Sequence, residues 1–296
     1  MRITVCGRTD RGVTRSDNQD CFLVLDLGNP DSALAPQGDG SSPDVGSLEF
    51  TLDRRGAVLL VADGMGGRAG GARASSLAIE SVRDAMVGDG DGEEADAPTA
   101  RDFARRLKRS LELANAAIHE GGRQGPHAGM GSTATLAGLL GDSVFVAQVG
   151  DSRAYLVRAR HVGRLTRDQS LLPDLIDSGV LSEEDARTAA GRNMILQALG
   201  PTPSVEPAVT YHPLRRGDVL LLCSDGLSGV VDDDEIQSAV SEATDCASLC
   251  SSLVDLANER GGPDNITVVA AKVEGDGLDE ASDAEGIARR EFDAST

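Results

Sequence analysis

The chain has 296 residues and a formal net charge of −20, a length that allows one large domain or two of average size. Forty per cent of its residues are hydrophobic, which is enough for a buried core and excludes a disordered chain, although few aromatic residues are available to fill that core. Because no cluster of Lys and Arg offsets the acidity, the composition argues against partners such as nucleic acid or an anionic membrane surface.

Short apolar runs predict strands, and apolar residues at helical spacing predict helices. In chain order, the predicted strands are residues 3–6, 21–25, 57–62, 133–140, 143–149, 154–157, 219–223 and 266–273. The predicted helices are residues 72–86, 100–119, 171–178, 183–189, 234–240 and 246–259. Because the strands cluster instead of alternating strictly with helices, the order favours mixed or antiparallel sheets with helices outside them.

Three stretches lack any apolar period, at 28–56, 88–98 and after 274, and are predicted to be solvated. No linker separates two self-sufficient halves. We therefore expect one domain over residues 1–273, followed by an acidic, flexible tail over residues 274–296.

Neither a signal peptide nor a membrane helix is expected from the sequence. The longest apolar run, 57–62, is far below the length of a membrane helix, and the first residues lack the apolar stretch of a signal peptide. The five cysteines are scattered and odd in number, which favours free thiols in a reducing compartment. A cytoplasmic monomer is expected.

Aspartates stand beside glycine at the ends of several predicted strands. Asp63, Asp151 and Asp225 each follow an apolar strand, and Asp264 precedes one. Carboxylates that meet in one site repel each other unless a cation lies between them. Such hard oxygen ligands select Mg²⁺ or Mn²⁺ over zinc.

The glycine-rich turn after Asp63 has a second interpretation. Gly64, Gly66 and Ala69 fit the spacing of a dinucleotide-binding turn, with Asp84 about twenty residues further on. Asp84 falls inside a predicted helix, however, whereas a ribose-binding acid should end the next strand. Asp63 would also place a carboxylate beside a pyrophosphate, which weakens this interpretation.

Arg15 precedes the second predicted strand and is a candidate phosphate ligand. Its planar guanidinium matches two phosphate oxygens. A single surface Arg is more often part of an ion pair, so this assignment depends on the metal-binding aspartates nearby.

Taken together, seven motifs in sequence resemble those of the metal-dependent protein phosphatases, also called type 2C serine/threonine phosphatases, and their bacterial branch in particular. The motifs are RSDNQD (15–20), ADGMGG (62–67), GMGSTA (129–134), VGDSRAY (149–155), LTRDQS (165–170), LLCSDGL (221–227) and GGPDNIT (261–267). The resemblance covers about residues 2–273. It implies an α+β fold, a four-layer α/β/β/α sandwich with two central, mostly antiparallel sheets.

The resemblance also implies a centre of two Mn²⁺ or Mg²⁺ ions in the cleft between the sheets. Asp63 matches the aspartate that bridges both metals, and Gly64 matches the residue whose carbonyl is a further ligand. Asp225 and Asp264 match the two carboxylates that complete one metal's shell.

Three further roles follow from the same resemblance. Asp20 matches the acid that serves the other metal, directly or through water, and Asp151 matches a carboxylate that helps hold a third, weaker ion in bacterial members. Arg15 matches the arginine that grips the substrate phosphate. Arg15 and Asp63 are thus the expected catalytic residues.

The implied activity is hydrolysis of phosphoserine and phosphothreonine monoesters by in-line attack of a water that bridges the two ions. The implied partners are phosphorylated proteins, the targets of serine/threonine kinases. Two alternatives stay open: a partner-switching phosphatase acting on one small regulatory protein, and a catalytically silent adaptor that binds phosphoproteins.

The sequence departs from the family pattern at three places. Met65 stands where animal members commonly carry a histidine proposed as general acid, so the proton donor is not identified. The segment 168–199 corresponds to the family's variable flap, but Ala190-Gly191 precedes Arg192 where many bacterial members have His-Pro. The stretch 28–56 is a longer insertion than usual.

Overall fold

The computed structural model describes residues 1–36, 45–88, 97–171, 175–176, 194–281 and 286–293. In that part of the chain, thirteen strands form two sheets, and five α-helices lie outside them. The helix predicted at 183–189 lies outside the described residues, as do most residues of the one predicted at 171–178 and the Ala190-Gly191 departure in the flap.

The observed bounds extend most of the predicted elements by a few residues. The strands are β1 (Arg2–Asp10), β2 (Asp20–Asp26), β3 (Ala33–Leu34), β4 (Gly46–Thr51), β5 (Ala57–Met65), β6 (Gly131–Ser132), β7 (Ala134–Leu140), β8 (Ser143–Val149), β9 (Arg153–Arg158), β10 (His161–Arg164), β11 (Ala208–Pro213), β12 (Val219–Cys223) and β13 (Ile266–Glu274). The helices are α1 (Gly67–Gly88), α2 (Ala100–Gly121), α3 (Asp225–Ser228), α4 (Asp233–Glu242) and α5 (Cys246–Glu259).

Each sheet is built from antiparallel neighbours. Sheet one has the order β10-β9-β12-β13-β1-β4, and sheet two has the order β11-β8-β7-β5-β2-β3, with β6 pairing to β5. The helix pair α1 and α2 covers sheet two, and α5 covers sheet one. This arrangement confirms the predicted α+β sandwich.

Three apolar layers hold the sandwich together. Val5 and Leu59 lie in the layer between the sheets, Phe103 lies in the layer under α1 and α2, and Leu253 lies in the layer under α5. Strands buried on both faces carry near-continuous apolar runs, and for this reason β5 and β12 are evident in the sequence.

Polar N-cap residues stand at the starts of α2 and α4. Thr99 Oγ1 accepts from the Asp102 N–H at 3.2 Å at the start of α2. Before α4, Asp232 and Glu235 accept from each other's backbone N–H in a capping box. These side chains satisfy donors that would otherwise lack partners at a helix start.

The expectation of a structureless stretch at 28–56 is wrong in part, because β3 and β4 lie within it. In β4 the residues alternate between half-buried and exposed, with Leu48 and Phe50 packing against the layer between the sheets. An edge strand of this kind has only every second residue apolar, so the run is too short to stand out from its polar surroundings.

Part of the expected tail also belongs to the fold. Residues 286–293 run along β11, where the Tyr211 N–H donates to the Arg290 carbonyl at 3.0 Å and the Phe292 N–H donates to the Val209 carbonyl at 2.8 Å. The Phe292 ring packs edge-on against Phe145 and Tyr211. Phe292 anchors this segment although its sequence surroundings are acidic.

No helix in the described ranges is long and apolar enough to span a bilayer.

Candidate metal centre

Asp63 lies near the end of β5, opposite Asp20 of β2 in the antiparallel register. Its N–H donates to Thr133 Oγ1 at 3.1 Å, and its carbonyl accepts from the Thr133 N–H at 2.8 Å. The next residue must be glycine, because a Cβ on Gly64 would lie 2.1 Å from the Gly71 carbonyl oxygen. The backbone of Asp63 is therefore held on both sides.

Asp20 connects the two sheets. Its Oδ2 accepts hydrogen bonds from Ser224 Oγ and Thr267 Oγ1, both at 2.7 Å. Both donors belong to sheet one or its turns, whereas Asp20 begins β2 in sheet two. The residue is 8% exposed. Asp20 is thus fixed beneath the site by two hydroxyl groups.

Asp225 and Asp264 approach each other because their strands are antiparallel neighbours. Asp225 begins α3 directly after β12, and Asp264 stands just before β13. The end of one antiparallel strand lies beside the start of the next. The fold therefore joins two carboxylates that are 39 positions apart in the sequence.

Asp151 occupies the turn between β8 and β9. Its Oδ1 is buried without a hydrogen-bond partner. Burial raises the pKa of Asp151 to about 7, and the negative charges of Asp225 and Asp168 add to that effect. Asp151 is therefore a neighbour of the site.

Arg15 lies in the loop between β1 and β2. Its Nη2 is 2.6 Å from Oδ2 of Asp264, and more than half of the Arg15 side chain is exposed. The N–H groups of Val13 and Thr14 both donate to the Gly262 carbonyl, at 3.0 and 3.1 Å. The loop thus rests on the segment that carries Asp264.

These residues surround a cleft of about 640 Å³. The cleft is lined by Arg15, Ser16, Asp17, Gln19, Asp63, Gly64, Met65, Gly66, Gly67, Ile195, Asp225, Asp264 and Asn265. Five of the predicted site residues line it, while Asp20 and Asp151 do not. Asp84, the acid required by the dinucleotide interpretation, lies exposed on α1.

The electrostatics of the site are dominated by buried negative charge. Burial raises the pKa of Asp63 well above its usual range, and the charges of Asp20 and Asp225 raise it further. Burial likewise raises the pKa of Asp225, with the charge of Asp264 adding to the effect. The pKa of Asp20 is raised by burial to about 7, although its two hydroxyl donors oppose that shift.

The donor set fits a hard divalent cation. Oδ1 of Asp225 is buried without a hydrogen-bond partner, and the carboxyl groups of Asp63 and Asp225 are within hydrogen-bonding reach of each other. Carboxylates this close are unfavourable without a counter-charge. Oxygen donors without His or Cys suit Mg²⁺ or Mn²⁺.

Two of the carboxylates have hydrogen-bond partners within the chain. Asp264 is turned toward Arg15, and Asp20 accepts from two hydroxyl groups. Within the described ranges, no three Asp, Glu, His or Cys side chains are already arranged as a group that could hold a metal ion.

Sequence reasoning missed the residues that support the site. Ser224, Thr267 and Asn265 all lie inside quoted motifs, next to or close to predicted metal ligands. Their place beside the predicted ligands was the available signal, but it did not show which groups they would contact. Ile195, which lines the cleft from the returning flap segment, had no signal beyond being apolar.

The chain is similar in sequence to bacterial phosphatases. The family model for protein phosphatase 2C matches residues 46–261. Protein phosphatase PhpP of Streptococcus pneumoniae is 33% identical over 238 residues, which are 80% of this chain and 94% of that protein. Serine/threonine protein phosphatase PstP of Mycobacterium tuberculosis is 36% identical over 268 residues, which are 90% of this chain and 44% of PstP.

Solved structures share the fold. The S. agalactiae serine/threonine phosphatase has a TM-score of 0.77 at 30% identity, covering 92% of this chain and 100% of that one. The catalytic domain of PstP in complex with two manganese ions has a TM-score of 0.70 at 32% identity, and the match covers 93% of this chain and 100% of that one. These similarities confirm the resemblance seen in the motifs. The chain therefore belongs to the protein phosphatase 2C family of metal-dependent serine/threonine protein phosphatases.

Proposed function

We propose that the protein hydrolyses phosphoserine and phosphothreonine monoesters of protein substrates by in-line attack of water, with two divalent ions, Mn²⁺ or Mg²⁺, held in the cleft. The observation that carries the proposal is the convergence of Asp63, Asp225, Asp264 and Arg15 on one cleft. Such a site places carboxylates that can bind cations beside a guanidinium that can bind phosphate.

The carboxylates of the cleft would hold the ions. Asp63, Asp225 and Asp264 are the side-chain ligands in this proposal, with the carbonyl of Gly64 as a further ligand and Asp20 reached directly or through water. When bound, divalent ions lower the pKa of water and neutralise negative charge on phosphoryl oxygens. The two manganese ions in the PstP catalytic domain support this choice of metal.

Arg15 binds the substrate phosphate in this proposal. Its present partner, Asp264, is one-third exposed, and Arg15 itself is half exposed. An ion pair at such a surface contributes little stability, so the guanidinium can exchange a carboxylate for a phosphate at low cost. Its fork then orients two phosphate oxygens.

Asp151 is proposed to help hold a third ion. The support is its buried Oδ1, which has no hydrogen-bond partner, and its raised pKa beside Asp225. A carboxylate in such surroundings favours either a proton or a cation.

The proton for the leaving group is proposed to come from water. Met65 lines the cleft and has no proton to donate, and the cleft-lining residues in the described ranges include no histidine. The cleft is open to solvent at the exposed Arg15, which supports access of water to the departing oxygen.

The complete set of acidic residues and Arg15 favours catalysis over the adaptor alternative, since phosphoprotein binding alone would not require every ligand. All five cysteines are free thiols, which supports action in a reducing compartment such as the cytoplasm. Action as a monomer stays a prediction.

The proposal is tested by removing and returning the metal. Chelation with EDTA followed by desalting should abolish hydrolysis of a phosphothreonine peptide, and Mn²⁺ should restore it. Mn²⁺ should also raise the melting temperature of the chelated protein, because the ion relieves repulsion among the buried carboxylates. Undiminished hydrolysis by the desalted, chelated protein would contradict the proposal.

A further inference from the structure

The side chain of Asn265 ties together separate segments of the site. Its Nδ2 donates to the carbonyl oxygens of Arg11 and Asp17, each at 2.9 Å, and its Oδ1 accepts from the Gln19 N–H at 2.8 Å. Asn265 is 5% exposed. All three bonds are made to backbone atoms. They therefore hold the backbone of these segments in place, whatever side chains the segments carry.

The three contacts bracket Arg15. We define the Arg15 loop as residues 11–19; it joins β1 to β2 without regular structure. Asn265 holds this loop four residues before Arg15 and two residues after it. Gly12 brings the loop close to the same segment, since a Cβ there would lie 2.1 Å from the Asp264 carbonyl oxygen.

The same amide reaches the glycine turn through one residue, Gln19. The Gln19 N–H donates to Asn265, while the Gln19 carbonyl accepts from the Gly64 N–H at 3.2 Å and from Ser75 Oγ at 2.6 Å. Asn265 therefore connects the Arg15 loop to the residue that follows Asp63. Asn265 is also joined covalently to Asp264.

We propose that Asn265 is a positioning residue for substrate phosphate, which it serves by fixing the distance between Arg15 and the carboxylate cluster. The inference rests on the proposed role of Arg15. The Arg15 side chain is long and half exposed, so the position of its guanidinium depends on where the loop backbone is held. A loop fixed before substrate arrives loses less entropy on binding.

Asn265→Ala removes all three hydrogen bonds and should raise KM for a phosphothreonine peptide, and Ki for inorganic phosphate, by about tenfold at saturating Mn²⁺. The Kd for Mn²⁺, measured by calorimetry, should stay within about twofold of wild type, since no proposed metal ligand changes. Asn265→Asp is the second variant, because it keeps the size of the side chain and an acceptor for Gln19. It should raise KM at least as much, since a carboxylate oxygen would face the carbonyls of Arg11 and Asp17.

The double variant Arg15→Ala/Asn265→Ala tests whether Asn265 acts through Arg15 or only stabilises the fold. If Asn265 acts through Arg15, the double variant should have the KM of Arg15→Ala alone. Asn115→Ala is the matched control, because Asn115 is also buried and ties the Gly200 N–H and the Thr202 carbonyl to α2. That control should lower the melting temperature without changing KM.

The outcomes distinguish this inference from the role of Arg15. If Arg15→Ala raises KM but both Asn265 variants keep the wild-type KM, Asn265 is not a positioning residue. Additive effects in the double variant, or a weakened Kd for Mn²⁺ that accounts for the change, would overturn the inference as well. If Arg15→Ala itself keeps the wild-type KM, the proposed role of Arg15 fails and the inference fails with it.

Discussion

Arg15 and Asp264 are 249 positions apart in the sequence, yet Nη2 of one lies 2.6 Å from Oδ2 of the other. The first is the proposed phosphate ligand and the second a proposed metal ligand. Because a cation bound by Asp264 would neutralise its charge, metal binding should weaken the pair and release the guanidinium toward substrate. The pair therefore couples metal binding at Asp264 to phosphate binding at Arg15.

Replacing Arg15 by Ala should raise KM for p-nitrophenyl phosphate about tenfold or more, because the guanidinium is proposed to hold two phosphate oxygens. The value of kcat should fall as well if charge develops on those oxygens in the transition state. Arg15→Lys should recover part of the loss, since it retains the charge but not the fork. Steady-state kinetics decide this, and an unchanged kcat/KM for Arg15→Ala would remove Arg15 from the site.

The substitution Asp63→Asn should lower kcat by orders of magnitude while the protein stays folded. The carboxylate proposed to bridge both ions is lost, but a buried charge that repels Asp20 and Asp225 is also lost. The melting temperature of the metal-free variant should therefore equal or exceed that of the wild type. Asp84→Asn, an exposed carboxylate on α1, is the control and should keep full activity. Turnover near the wild-type value in Asp63→Asn would refute the bridging role.

The substitution Asp151→Ala should weaken binding of the proposed third ion without affecting binding of the first two. The variant should retain two bound Mn²⁺ ions per chain but turn over substrate more slowly, since Asp151 is no ligand of the central pair in the proposal. Metal analysis after gel filtration and steady-state kinetics together test this. Fewer than two retained ions would show that Asp151 belongs to the central set.

His212 should make the protein less stable in mild acid. Burial lowers its pKa to about 4, and the positive charges of Arg290 and Arg158 lower it further, against a backbone hydrogen bond at Ala288. Between about pH 6.5 and 4 the unfolded chain binds a proton that the folded chain does not, so stability falls as the pH falls through that window. The loss at pH 5 should be up to about 2 kcal/mol relative to pH 7.

Urea denaturation of the wild type and of His212→Gln at pH 7 and pH 5 measures this contribution. The difference between the two proteins isolates His212 from the carboxylates, which titrate in both. If the difference in unfolding free energy is the same at both pH values, folding does not lower the pKa of His212.

The substitution Phe292→Ala should destabilise the fold without touching the cleft. The ring packs against Phe145 and Tyr211, and removal of a partly buried aromatic side chain should cost about 1–3 kcal/mol. KM and kcat at a temperature where the variant is folded should match the wild type. An unchanged melting temperature would mean that residues 286–293 do not hold their place on β11 in solution.

The sequence could reveal the central carboxylates because their signals are local. Asp63 and Asp225 stand where long apolar strands stop beside glycine, so strand pattern and chemistry coincide. The hydroxyl donors to Asp20 were not predictable in the same way. Ser224 and Thr267 meet Asp20 only after two sheets have packed face to face, which depends on contacts between distant parts of the chain.

The elements that sequence analysis missed are those stabilised mainly by their neighbours. The edge strand β4 alternates between inward and outward residues and, in the part of the chain that the structure describes, pairs with β1 alone. Phe292 stands in an acidic stretch, and its place is determined by an aromatic pocket built from β8 and β11. Local propensity is a weak guide where tertiary packing supplies most of the stabilisation.

The position of residues 286–293 bears on how the protein behaves at high concentration. A long open strand at the border of a sheet offers backbone groups with which another molecule can pair, and this is a common start of aggregation. Sheet two ends in β11 on one side, which residues 286–293 cover, and on the other in β3, which has two residues. Within the described residues, this sheet thus presents little backbone for a second molecule to extend. Proteolytic removal of residues 286–293 would uncover β11 and favour self-association through it.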